Sequence, residues 1–163
     1  MKRMSDPAKK KHSNKPRPAA IEPLADDERL ERARQEWSKG LLHLQEADDM
    51  ARLRIAPNSC IHSAYYAMHH VAASVILVSG GVGRTKSSPA SHTHVIEHFA
   101  KLVAVEGVDM VECGRMLSRA HTDRTTADYG LVMSADIGDA IATTEDARRF
   151  VDRCRDRWGL DRI

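Results

Sequence analysis

From Asn58 to Gly81 the chain is apolar on nearly every side of a helical wheel. Ser59, Cys60, Ala64, Ala67, Met68, Val71, Ala72, Val75, Ile76 and Val78 fall close to the i, i+3, i+4, i+7 pattern of a helix buried over most of its circumference. Asn58 follows Pro57 and reads as the N-cap, while Gly80 and Gly81 read as the stop. About twenty helical residues span roughly 30 Å, the width of a small domain. This segment, 58–79, is therefore expected to be the central and most buried helix.

Four further amphipathic segments surround it. Leu24 to Ile55 carries the stripe Leu30, Ala33, Trp37, Leu41, Leu44, Ala47 and Ala51 opposite a charged face. Asp26, Asp27 and Glu28 suit its first turn through the helix dipole, Gly40 is a candidate bend, and Pro57 ends it. Ser91 to Val105 predicts a third helix with His92, Val95, Ile96, Phe99 and Leu102 on one side. Val108 to Thr126 predicts a fourth, with Val111, Gly114, Met116, Leu117 and Ala120 inward. Tyr129 to Met133 reads as a connection, and Ser134 or Asp136 as the cap of a last helix running to Trp158. Ile137, Ile141, Thr144, Ala147, Val151, Cys154 and Trp158 give that helix its period. With no convincing strand and no repeat, the expected fold is all-α, an up-and-down bundle of four to five helices.

Composition changes this picture mainly at the N-terminus. Residues 1–22 are rich in Lys, Pro and Ser with little to bury, so they are expected to form a disordered basic tail ahead of a bundle over 23–163. The formal charge of +2 is small, but Lys2, Arg3, Lys9, Lys10, Lys11, Lys15 and Arg17 concentrate it in that tail. Such an arm adds non-specific attraction to RNA or DNA. Cys60, Cys113 and Cys154 are odd in number and widely spaced, which suits reduced thiols in a cytoplasm. No apolar run reaches the ~18 residues of a membrane span. The basic start lacks the apolar region of a signal peptide.

Three stretches carry candidate chemistry. The first runs from Arg115 to Tyr129 and holds Arg115, Arg119, His121, Asp123, Arg124, Asp128 and Tyr129 near a helix C-terminus. Arginines can hold a phosphate, Asp128 can fix Arg124 in a bidentate pair, and His121 or Tyr129 can move a proton. A salt-bridged helix end explains the same residues without any ligand. The second is His-rich: His92, His94 and His98, the last two at chelating i, i+4 spacing, with His62, His69 and His70 elsewhere. No Cys or carboxylate is paired with them at ligand spacing, so neither a metal nor a cofactor is expected. The third, Gly80 to Ser88, follows a helix rather than a strand and lacks the Gly-Lys-Ser/Thr ending of a phosphate loop.

Three motifs in order resemble the HEPN domain (higher eukaryotes and prokaryotes nucleotide-binding), and more narrowly its small prokaryotic branch. They are Ser63-Ala-Tyr-Tyr-Ala-Met-His-His-Val-Ala-Ala, Ser91-His-Thr-His-Val-Ile-Glu-His-Phe99, and Arg124-Thr-Thr-Ala-Asp-Tyr129. The resemblance covers roughly residues 27–158. It implies a helical bundle that pairs as a homodimer, a role in toxin–antitoxin, defence or RNA-processing systems, and a minimal nucleotidyltransferase as partner. Ribonuclease members place an Arg and, a few residues on, a His at the dimer interface and cut RNA without metal. Here Arg124 takes the Arg position and Tyr129 stands where a four-residue gap would put His. The upstream pair Arg115 and His121 also fits the spacing.

The expected site is thus Arg124, Asp128, Tyr129 and His121 as catalytic groups, with Arg115, Arg119 and His92 binding substrate. The expected function is RNA or nucleotide binding, with metal-independent endoribonuclease activity as its enzymatic form. The alternative is a non-catalytic helical dimer acting as a partner-binding or nucleotide-sensing module; a metal-binding bundle comes third.

Overall fold

The computed structural model describes residues 25–80, 91–129 and 135–163, with side chains as far as 127 in the middle segment. The basic tail, the 81–90 loop, the connection through Met133, Ser134 and the side chains of Asp128 and Tyr129 lie outside the described residues. Five α-helices follow in chain order: α1 (Asp26–Leu53), α2 (Pro57–Val78), α3 (His92–Val103), α4 (Val108–Tyr129) and α5 (Ile137–Trp158), then a short 3-10 turn at Leu160–Arg162. Among the described residues there is no strand, and the fold is an all-α bundle.

The centre is α2, as its composition predicts. Cys60, Ala64, Tyr65, Ala67, Met68, Val71, Ala72 and Val75 have no exposed surface, and α2 packs against each of the other helices. Its most extensive partner is α1, laid antiparallel across a three-residue link. The register can be followed rung by rung. Arg29 donates to the carbonyls of Leu77 and Val78, the Ser74 hydroxyl donates to the Ala33 carbonyl at 2.8 Å, and Cys60 Sγ lies 3.4 Å from the Ala47 carbonyl. These bonds answer polar groups that burial would otherwise leave at a cost of ~1–3 kcal/mol each.

Some local expectations need correction. Gly40 has a packing reason: a Cβ there would stand 2.6 Å from Val71 Cγ2 and 3.1 Å from the Ala67 carbonyl oxygen. Glycine is what lets α1 and α2 touch. That places Gly40 in the buried stripe at the turn assigned to Leu41, which is 41% exposed. Nor does Asn58 cap α2. Pro57 occupies the first turn, where its missing N–H is harmless, and Ala56 takes the cap with φ 44°. Asn58 ties the far ends of the bundle together, its amide donating to the Ala127 carbonyl (3.3 Å) and accepting from the Ala135 N–H (2.9 Å). In α4 the inward row includes Met110 and Cys113, while Val111 is only partly buried.

The other ends follow the sequence. Glu28 reaches back to the Ala25 N–H, Ser91 caps α3 by accepting from the His94 N–H, and Asp136 caps α5 by accepting from the Asp139 N–H. α5 buries Ala140, Thr144, Ala147, Phe150, Val151 and Cys154. No helix among the described residues is long and apolar enough to cross a membrane.

Candidate functional site

One side of α2 breaks the apolar rule. Tyr65, Tyr66, His69 and His70 recur at i, i+1, i+4 and i+5, with His62 one turn before them, so helical geometry alone stacks them on a single side. The start of α3 brings His92 to this side, and the last turns of α4 bring His121 and Arg124, at i, i+3.

The groups meet closely. Tyr65 Oη lies 2.6 Å from His92 Nδ1. The His69 and His92 ring centres are 4.7 Å apart, and His121 stands 5.4 Å from Tyr65 and 6.1 Å from His92. The Arg124 guanidinium sits 5.9 Å from the Tyr65 ring centre and 5.7 Å from that of Tyr66. At this range the ring faces attract the cation.

Electrostatics fix the protons. Burial raises the Tyr65 hydroxyl well above its ordinary value, so it keeps its proton. Burial lowers His92, with help from Arg124 and His121. The protonated Tyr65 hydroxyl and a His92 held toward its neutral form thus share one hydrogen bond. His69 is driven down to about 3, by burial first and then by His92 and His70, against the opposing pull of Glu36. Its Nδ1 is buried with no hydrogen-bond partner. Arg124 thus stands among imidazoles of which at least two are held neutral.

A second layer faces α1. His70 Nδ1 donates to Glu36 at 2.7 Å, and His43, stacked on His70 at 5.4 Å, donates to Glu46 at 2.9 Å. Burial alone would raise the Glu36 carboxyl, but the bonds from His70 and Lys39 win and hold it at about 2. Ser63 donates to Glu46 at 3.4 Å.

Of the sequence-predicted residues, Arg124, His121 and His92 come together. Arg115 and Arg119 do not join them. Both turn to Glu112, at 3.4 and 2.9 Å, and Arg119 also approaches Asp146 on α5 at 3.7 Å. Asp128 and Tyr129 end α4, and their side chains lie outside the described residues. His94 and His98 stack on each other at 4.0 Å, with His98 Nδ1 donating to the His94 carbonyl. Among the described residues no group of three or more His, Cys, Asp or Glu is set to hold a metal. Tyr65 and Tyr66, which the sequence reading named only within the Ser63–Ala73 motif, and His69, counted there among the histidines, also belong to this cluster. Their signal was the polar stripe on an otherwise apolar helix.

No family model matches the chain, and no curated protein matches it. The HEPN resemblance stands on the three motifs themselves.

Proposed function

We propose that this chain is a HEPN-like protein that binds the phosphate of RNA or of a nucleotide at Arg124. The observation that carries this reading is the convergence of Arg124, His121 and His92 over Tyr65 and Tyr66, from helices far apart in sequence. Arginine is the natural phosphate ligand because its fork matches two oxygens at once. A His92 held toward its neutral form stands beside it and adds no competing charge. In a cleavage reaction the 2′-hydroxyl would attack the adjacent phosphorus while His121 accepts its proton, and the 5′-oxygen would leave with a proton from a second group. In a homodimer that group comes from the other copy, which is also the reason to expect pairing. A minimal nucleotidyltransferase is the proposed partner, and a toxin–antitoxin or defence system the proposed setting.

The decisive test is incubation of single-stranded RNA with the full chain and EDTA. Cleavage that persists in EDTA and disappears in Arg124→Ala and His121→Ala supports the ribonuclease form. Loss in His121→Ala and Arg115→Ala with Arg124→Ala fully active would move the site to the upstream pair. Light scattering at ~50 μM tests the dimer, since a micromolar dissociation constant leaves little monomer there.

In the alternative, non-catalytic form the cluster only binds: His69, held at about 3, and Tyr65, held above its ordinary value, keep their protonation states while Arg124 takes the phosphate. Tight RNA or nucleotide binding with intact RNA after long incubation would select the sensing module.

A further inference from the structure

Beside the Arg124 site lies a cavity of about 410 Å³ between the start of α2 and the end of α4, lined by Asn58, Ser59, His62, Ser63 and Ala127. It opens one helical turn from Arg124, since Ala127 is the i+3 neighbour. A chain of rings joins the two: the Tyr66 ring centre is 5.7 Å from the Arg124 guanidinium and 4.7 Å from the His62 ring centre. We infer that this cavity takes the nucleoside of the same nucleotide whose phosphate Arg124 holds, its base lying against His62 and Tyr66. The inference rests on the reading of Arg124 as a phosphate ligand.

The chemistry of the walls fits that occupant. Volumes of 300–1,000 Å³ are typical of small-molecule sites. Unpaired bases bind by stacking on Tyr and His rings next to an arginine. Both rings are only partly buried; His62 lines the cavity, and Tyr66 backs His62 from 4.7 Å. Asn58 is committed to Ala127 and Ala135 and serves as a fastener of the cavity wall. The exposed Ser59 hydroxyl is left for the sugar, while Ser63 donates to Glu46. A groove of about 440 Å³ between α4 and α5 is lined by Asp123, Asp136, Asp139 and Asp146, which repel phosphate. A larger one, about 500 Å³ between α3 and α4, has Arg115 and Arg119 in its wall, but both are paired with Glu112.

The test is calorimetric titration of the full chain with inorganic phosphate, ribose 5-phosphate, AMP, UMP and single-stranded hexauridylate. Stacking of one base predicts AMP or UMP binding about tenfold or more tighter than ribose 5-phosphate. His62→Ala and Tyr66→Leu should erase that gain and leave ribose 5-phosphate within about twofold, while Tyr66→Phe keeps it. Ser59→Trp, at an exposed position, should fill the cavity and give the same loss without disturbing the core. Hexauridylate tighter than UMP identifies RNA as the source of the nucleotide; equal affinity identifies the free nucleotide. Ribose 5-phosphate binding as well as AMP and UMP, or a gain that survives Ser59→Trp, overturns the nucleoside pocket but leaves Arg124 as a phosphate ligand. Failure of every probe to bind overturns both.

Discussion

The two sides of α2 solve opposite problems. Toward α1 the contact is dry and close: Gly40 against Val71, Ala33 against Ser74, Ala47 against Cys60. The Ser74 hydroxyl and the Cys60 thiol are each answered there by an α1 carbonyl. Toward α3 and α4 the same helix buries phenols and imidazoles, leaves His69 Nδ1 without a partner and sets Arg124 against two rings. The first side obeys the packing rules and the second violates them. Violations of local rules gather where a protein does its work, and the surrounding structure carries their cost. The difference identifies which side to suspect of function without reference to any relative.

The largest effect should come from the fully buried interior of α2 rather than from its aromatic side. Met68 is fully buried, and Met68→Asp places a charge where nothing can pair with it. A loss on the order of 4 kcal/mol is expected, close to the whole stability of a small domain, read as collapse of the urea midpoint. A cooperative variant with a near-normal midpoint would remove the contrast. On the other side Arg124→Ala should weaken RNA or nucleotide binding about ten- to a hundredfold, the worth of a charged hydrogen bond, with the melting temperature within a few degrees. Full binding with early melting would make Arg124 a structural residue.

Acid should separate the sides further. His69 has its folded value depressed to about 3 from an ordinary 6.5, so below pH 6.5 the unfolded chain takes up a proton the folded chain refuses. Stability is then complete above pH 6.5 and falls steadily toward pH 3. Between pH 6.5 and 5 the loss from this group is about 2 kcal/mol, and His69→Gln should be flatter by that amount in urea titrations at the two pH values. Equal slopes would mean that His69 titrates normally in the fold. The smallest effect belongs to Arg119→Ala. That side chain is half exposed and paired with Glu112 and Asp146, so stability should change by less than about 1 kcal/mol and binding by less than twofold. A binding loss matching that of Arg124→Ala would extend the site along α4.

The helices were legible because period is a local property. Asp136 as a cap, the end of α5 at Trp158 and the burial of α2 all follow from residues within one or two turns. The packing reason for Gly40 was hidden because a close crossing depends on Val71, thirty-one positions away, and Asn58 misled because its partners are Ala127 and Ala135. The site was half legible for the same reason. His121 and Arg124 share a helix turn and could be paired by eye. That Tyr65 should hold His92, and that Arg119 should turn to Asp146, depends on how separate helices meet.

The α1–α2 pairing has a kinetic consequence. Arg54 and Ala56 adopt left-handed backbone at the short link, and Arg29 latches the opposite end onto Leu77 and Val78. The ends to be joined are few residues apart, so closing this hairpin costs little chain entropy compared with bringing in α5. Loop closure therefore favours the hairpin as the first piece to assemble. Its aromatic side is covered only by α3 and α4, so the cluster depends on chain that the hairpin does not contain.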